Sequence, residues 1–389
     1  MQIEIFDISE NGEGIGRIDG KIAFVKNALP GDVVDVEITK DKGRFFQARI
    51  IGDNKPVCGG APLLRLPYEK QLEWKEKRVR DCLTRLAKLE DPKLNPIVGM
   101  ENPYNYRNKG EFKVNENMPY CNVDCADCPI QSKRALEILK EFRENPVKNA
   151  EELVIRTNRE GDVLSYTIQT SGYPLLFRGQ NLINDHIGDL KIEVDAASFY
   201  QVNSVQCEKL YALVKQYVDE GSFMLDLYCG AGTIGLFCSD KCSKVIGVES
   251  VREAIIQANR NAVINGNVNT TFICGKAEDV VPERLQGVKA DIVVLDPPRA
   301  GCKRSLLETV AQIGPKKLVY VSCDPSTLAR DIKILTELGF EFVEATPVDM
   351  FPHTVHVETV VLLRRERPDA YIDIDVNIED LYKSNFLRK

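Results

Sequence analysis

The sequence predicts an α/β protein whose C-terminal half is an open, doubly wound sheet, preceded by a small β-barrel and a mixed α+β central region. Three observations predict it. From Phe223 onward, strand-like and helix-like runs alternate regularly. A glycine-rich turn, Gly230-Ala231-Gly232-Thr233-Ile234-Gly235, follows the first strand of that alternation. The first fifty residues hold short β-branched runs broken by glycines and show no long helical period.

In residues 1–54 the expected strands are Ile3-Glu4-Ile5-Phe6, Ile22-Ala23-Phe24-Val25, 33–38 and 45–50. Gly12, Gly14, Gly16, Gly20, Gly31 and Gly43 read as punctuation between them. Such a pattern suits a closed barrel of the oligonucleotide-binding type. Residues 55–220 form the central region, with helices expected over 68–89, 131–143 and 204–219 and strands over 153–156 and 164–168. Residues 221–389 carry the doubly wound sheet, with strands at 223–228, 244–249, 270–274, 290–295 and 317–322. Helices are expected at 251–265, 304–313 and 326–338. In such sheets ligands sit beyond the carboxyl ends of the strands, so the residues just after each strand carry the function.

At 389 residues, 43% hydrophobic and 28% charged, the chain has the composition of a soluble globular protein of two or three domains. No apolar run is long enough to span a membrane, and the start lacks the marks of a signal peptide. A cytoplasmic protein without membrane contact is expected. The net charge of −7 argues weakly against nucleic acid, because a local basic face still binds phosphates. One such face lies between Arg65 and Lys88, with eight basic against four acidic residues. Its blander reading is a solvated helix with pairs such as Glu73 with Lys77.

The glycine turn lets backbone approach a ligand closely, and Glu249 ends the next strand 19 residues after Gly230. A carboxylate there accepts both ribose hydroxyls of an adenosine, which also fits a nicotinamide dinucleotide. Three details favour S-adenosylmethionine. Asp226, at the end of the first strand, is placed to meet a cationic amino group. No basic residue in the turn serves a phosphate. The fourth strand ends in Asp296-Pro297-Pro298-Arg299, a motif typical of methyltransferases that act on bases. Ser322-Cys323-Asp324-Pro325 closes the fifth strand at the same rim. A helix N-terminus just after Cys323 is expected to favour its thiolate, which suits covalent catalysis.

With these motifs in hand the chain resembles the uracil-5 RNA methyltransferases, a class I methyltransferase family acting on ribosomal and transfer RNA. The resemblance covers nearly the whole sequence. It includes Gly12-Glu13-Gly14-Ile15-Gly16-Arg17 and Ala28-Leu29-Pro30-Gly31-Asp32, similar to a TRAM domain, and Tyr106-Arg107-Asn108-Lys109. It continues through Phe199-Tyr200-Gln201-Val202-Asn203, the motifs at Asp226, Asp296 and Ser322, and the run from Asp349 to Glu358. The resemblance implies Cys323 as nucleophile and Glu358 as the base for the carbon-5 proton. It implies Gln201, Tyr228, Glu249 and Asp296 as cofactor contacts. The implied substrate is RNA, ribosomal RNA first and transfer RNA as the alternative, and no protein partner is implied. A non-catalytic RNA-binding protein of ribosome assembly is the alternative from another class. His353 and His356 alone make a poor metal site.

Ribosomal-RNA members often carry an iron–sulfur cluster. Here Cys58 and Cys128 match two ligand positions of that pattern, while Gly52 and Ala61 stand at two others. Cys121 and Cys125 restore the count of four, so a [4Fe-4S] cluster on Cys58, Cys121, Cys125 and Cys128 is the expectation. Structural zinc and four free thiols are the alternatives. The spacing also matches radical S-adenosylmethionine enzymes, but that reading leaves Cys323, Glu358 and the glycine turn without purpose.

Overall fold

A computed structural model describes residues 1–52, 60–114, 127–195, 199–285 and 287–365. The N-terminal run forms β1 (Gln2–Glu4), β2 (Asp7–Ile8), β3 (Gly14–Ile18), β4 (Lys21–Val25), β5 (Val33–Asp41) and β6 (Phe45–Ile50). They pair in the order β1-β5-β6-β4-β3-β2. Because β1 and β2 are parts of one run, pairing β1 with β5 and β2 with β3 closes the sheet into a barrel. Ile3, Ile5, Ile18, Ala23, Val25, Val36 and Ala48 fill its interior. The sequence reading took Gly14 and Gly16 as breaks, yet both lie within β3. A Cβ at Gly14 would stand 2.7 Å from the Ala28 carbonyl oxygen, so close approach of two backbones, not a turn, requires this glycine.

The central region begins with α1 (Tyr68–Arg85), followed by β7 (Lys109–Lys113), α2 (Lys133–Glu144), β8 (Ala150–Thr157), β9 (Val163–Gln169) and β10 (Pro174–Gly179). The four strands form an antiparallel sheet, β10-β9-β8-β7. Helix α2 is capped by Ser132, which accepts the Ala135 N–H at 3.1 Å. It buries Ala135, Ile138, Leu139 and Phe142 against that sheet. The hairpin β11 (Leu182–Ile187) and β12 (Leu190–Asp195) leads to α3 (Ser204–Gln216), capped by Asn203.

The remaining elements are β13 (Ser222–Leu227), α4 (Thr233–Cys238), β14 (Cys242–Glu249), α5 (Arg252–Ile264), β15 (Thr270–Cys274) and α6 (Ala277–Arg284). They continue with β16 (Ile292–Leu295), α7 (Arg304–Ile313), β17 (Lys317–Ser322), α8 (Pro325–Glu337), β18 (Phe340–Val348) and β19 (Glu358–Arg365). The seven-stranded sheet runs β15-β14-β13-β16-β17-β19-β18. Strand β13 neighbours both β14 and β16, which makes its carboxyl end the switch point where a ligand crevice opens. Strand β19 runs antiparallel between β17 and β18. One face is covered by α6, α7 and α8, joined by Val79 and Leu83 of α1. The other is covered by α3, α4 and α5 with the β11–β12 hairpin.

Along helix α1 the solvated-helix reading fits most of the cations but not Lys75. Gln71, Lys75, Val79 and Leu83 recur every fourth residue and are all fully buried, so Lys75 belongs to the inner stripe. Most other cations of the segment are locally paired. Lys70 meets Glu73 at 2.7 Å and Arg65 meets Asp32 at 3.0 Å. Lys77 pairs with Asp7 at 3.1 Å and Asp81 at 3.4 Å rather than with Glu73. Among the described residues no helix is long and apolar enough to cross a membrane.

Candidate active site

The carboxyl ends of β13, β14, β16 and β17 open onto a cavity of about 910 Å³. Its wall includes Gln201, Tyr228, Glu249, Asp296 and Cys323, so the four expected cofactor residues and the expected nucleophile converge there. Glu249 is held by three donors. Its Oε2 accepts the Gly230 N–H at 3.2 Å, and its Oε1 accepts the Ser250 hydroxyl at 3.0 Å and the Val251 N–H at 2.8 Å. Tyr228 adopts φ +64°, an uncommon conformation for a bulky side chain, and its hydroxyl donates to Glu278 at 3.3 Å. Gly232 combines φ +74° with a position where a Cβ would meet the Phe272 ring at 2.6 Å. Only glycine fits there.

Asp226 departs from expectation. It is fully buried beneath the turn and does not reach the cavity wall. Its Oδ2 accepts the Gly235 N–H at 2.9 Å, so it braces the turn, while Oδ1 has no partner. Burial pushes its carboxyl up to about 7, helped by repulsion from Asp296 and Glu249.

Strand register brings Cys323 and Glu358 together. Ser322 at the end of β17 pairs with Thr359 near the start of β19, so Cys323 and Glu358 leave neighbouring strands at the same edge. On the other side of β17, Leu295 pairs with Tyr320, which sets Asp296 at that edge too. Glu358 is 6% exposed, not a surface strand residue, and is not itself on the cavity wall. Its carboxyl rises to about 8 through burial and then Asp296, with the Arg299 guanidinium opposing. Burial alone lifts Asp296 to about 7.

The expected activation of Cys323 by a helix N-terminus is not found. Asp324 caps α8, its Oδ1 accepting the Ser326 and Thr327 N–H groups at 2.8 and 3.0 Å. The donors that would favour a thiolate are thus satisfied by a carboxylate. Cys323 instead faces burial, Glu358 and Asp296, which push its thiol up to about 11, while Arg299 draws it down.

The segment from Asp349 to Val357 aims Glu358, and several distant side chains hold it. Lys75 reaches Asp349 at 2.5 Å, with both side chains fully buried, and donates to the Phe351 carbonyl at 3.0 Å. Tyr68 donates to the other Asp349 oxygen at 2.8 Å. Tyr106 donates to the Pro352 carbonyl, Arg78 to that of Val355 and Asn203 to that of Met350. The sequence reading missed this clamp. Its one sign was a lysine inside the apolar stripe of α1. Lys75→Met is expected to destabilise the protein by about 3–5 kcal/mol in denaturant unfolding, because Asp349 is left buried and unpaired. Adding Asp349→Leu should recover part of that loss, and additive losses would show the pair to be uncoupled.

His353 and His356 both have protein partners, the His353 Nδ1 lying 3.1 Å from the Gln71 side-chain nitrogen. The Gln71 side-chain oxygen accepts the His353 backbone N–H at 3.0 Å, and His356 lies 3.4 Å from Arg299. Burial and Arg299 push His356 down to about 4. Among the described residues no group of three or more potential ligands stands together. Of the cysteines expected to bind a cluster, Cys58, Cys121 and Cys125 lie outside the described residues. Cys128 is buried in a small cluster with Ala61, Tyr106 and Ile130.

Comparison with known proteins agrees with the geometry. Residues 183–366 match the model of the tRNA (uracil-5-)-methyltransferase family, and residues 1–51 match the TRAM domain. A Clostridium acetobutylicum protein described as an uncharacterized RNA methyltransferase is 37% identical, over 94% of this chain and 96% of its own length. A Bacillus cereus protein of the same description is 36% identical over 92% and 95%. Among solved structures, the Pyrococcus abyssi tRNA (uracil-54, C5)-methyltransferase in complex with S-adenosyl-L-homocysteine superposes with a TM-score of 0.75 at 27% identity. That match covers 93% of this chain and all of the other. On these matches, and on a fold that carries its motifs to one crevice, the chain belongs to the uracil-5 RNA methyltransferase family of enzymes.

Proposed function

We propose that this enzyme methylates carbon 5 of a uridine in ribosomal RNA, with S-adenosylmethionine as donor and Cys323 as covalent nucleophile. The observation that carries the reading is the meeting of Cys323 and Glu358 at one strand edge, beside a cavity that holds Glu249 and Asp296. The cavity suits the donor chemically. It gathers carboxylates around a space with an unpartnered buried oxygen on Asp226 beneath it, a setting that a cationic ligand relieves. Gln201, Tyr228, Glu249 and Asp296 would hold the donor, which supplies an electrophilic methyl group.

Uracil carbon 5 is a weak nucleophile. The Cys323 sulfur, having first lost its proton to solvent, adds as thiolate to carbon 6, the carbon 5–carbon 6 electrons move toward oxygen 4, and the resulting enolate makes carbon 5 nucleophilic. Once carbon 5 carries the methyl group, Glu358 takes the remaining carbon-5 proton. The electrons of that bond re-form the double bond and expel the Cys323 thiolate. A base must leave its stack to reach the crevice, and the barrel gives the RNA a second hold.

Ribosomal RNA is favoured by the cysteine pattern. Cys128 shares a buried cluster with Ala61, so the chain just after the stretch with Cys58 comes near the chain just after the stretch with Cys121 and Cys125. That convergence supports a shared [4Fe-4S] cluster with a structural role. Protein purified without oxygen should contain iron and sulfide, and both should vanish in Cys128→Ser. Iron-free protein of full activity removes the cluster. The target class is tested by incubating the enzyme with labelled donor and unmodified 23S ribosomal RNA or transfer RNA, then locating 5-methyluridine. Methylation of transfer RNA alone changes the target class, and no 5-methyluridine in either overturns the reading.

A further inference from the structure

A second cavity, about 440 Å³, opens between the β7–β8 edge and the start of α3, and nothing in the reaction above uses it. We infer that it receives the base of a second RNA nucleotide near the target uridine, one bearing an exocyclic amino group; this rests on the RNA reading above. Asn108 lines it and is 8% exposed. Three of its four polar groups are committed. Its backbone N–H donates to the Val202 carbonyl at 2.8 Å, its carbonyl accepts the Thr157 N–H at 2.9 Å, and its Nδ2 donates to the Gln201 carbonyl at 3.0 Å. That last bond fixes the amide's orientation and leaves Oδ1 as an acceptor with no partner.

A buried acceptor of this kind recruits an N–H donor. Adenine, cytosine and guanine offer an amino group with two hydrogens. Uracil offers its N–H only between two carbonyl oxygens, whose lone pairs an acceptor repels. The rest of the lining suits a splayed nucleotide. The Tyr104 ring is 46% exposed and lies against His353, centroids 4.8 Å apart, giving a flat wall for stacking. Arg159 and Lys209 stand on the lining as cations for a phosphate, although Arg159 also meets Glu208 at 3.4 Å, and Glu101 is the acid on the lining. Asn108 also joins the two cavities, since the Gln201 it bonds lies on the wall of the larger one. A base seated here would fix the strand on which the target lies.

The test uses full-length protein and fluorescence anisotropy with labelled single-stranded RNA decamers, one oligouridylate and one with a single central uridine flanked on both sides by alternating adenosine and cytidine. The wild type should bind the adenosine–cytidine decamer about fivefold more tightly, the worth of one hydrogen bond. Val205, 41% exposed in the first turn of α3, lines the cavity outside the catalytic machinery. Val205→Trp should fill the cavity and abolish the preference, and Asn108→Leu should do the same. Equal affinity of the two decamers for wild type, or a preference that survives Val205→Trp, overturns the inference. Should Asn108→Leu fail to fold, the surface variant decides. The readout is binding, so failure of methyl transfer would leave it standing, and its failure would leave the reaction standing.

Discussion

Cys323→Ala is expected to lower methyl transfer by about 10⁴-fold or more, the scale of losing a covalent nucleophile, while RNA and donor binding stay nearly unchanged. Without the sulfur on carbon 6, carbon 5 has no enolate to push it toward the methyl group. Single-turnover assays on the mapped RNA measure the loss. RNA carrying 5-fluorouridine at the target gives a direct view of the adduct. Fluorine is not removed as a cation, so after methyl transfer the base cannot complete elimination and the protein stays bonded to the RNA. Wild type should give a denaturation-resistant complex only with donor present, and Cys323→Ala none. An active Cys323→Ala enzyme, or no adduct from a wild type that methylates the same RNA, ends the covalent route.

The environment of Cys323 gives this chemistry a timing. With its thiol pushed up to about 11, the sulfur is almost wholly protonated at neutral pH in the free protein. Arg299 draws it down, but burial and the two carboxylates outweigh it. A thiol so held resists alkylation and oxidation until a ligand changes its surroundings.

Much of this was legible in the sequence because it lies in local pattern. The strands and helices that build the parallel part of the sheet follow hydrophobic runs of the right length, and the glycine turn and Asp296 motif mark the strand ends. What was not legible is what depends on contacts across long separations. Strands β18 and β19 escaped because their place is set by pairing, β19 with β17 and β18 with β19, not by their own pattern. Helix α4 has only six residues, too few for a period. The clamp of Lys75 on Asp349 joins residues 274 positions apart, so neither position alone announced it. The thiol's raised pKa was missed because the capping role of Asp324 was not weighed against the helix N-terminus. Asp226 was placed at the right strand end but with its side chain turned the wrong way.

Glu358→Gln should stop turnover at proton removal, lowering the steady-state rate by about 10²–10⁴-fold while letting the adduct accumulate on ordinary RNA. Glutamine keeps the shape and loses the base, so addition and methyl transfer proceed and elimination stalls. Two further readouts follow from the electrostatics. Glu358 is the largest charge raising the Cys323 thiol, so its removal should lower that pKa and make alkylation of Cys323 faster at pH 8 in the variant. Turnover and thiol reactivity then move in opposite directions, which a misfolded pocket would not produce. The second readout is stability against pH. The Glu358 carboxyl is pushed up to about 8, well above its unfolded value, so the folded state holds the proton more tightly. Its contribution is full below the unfolded pKa and fades as pH rises through about 8. Wild type should therefore lose stability relative to Glu358→Gln between about pH 5 and 9, in chemical denaturation without ligands. A variant that turns over normally reassigns the base, and equal pH profiles with unchanged alkylation would place Glu358 away from Cys323.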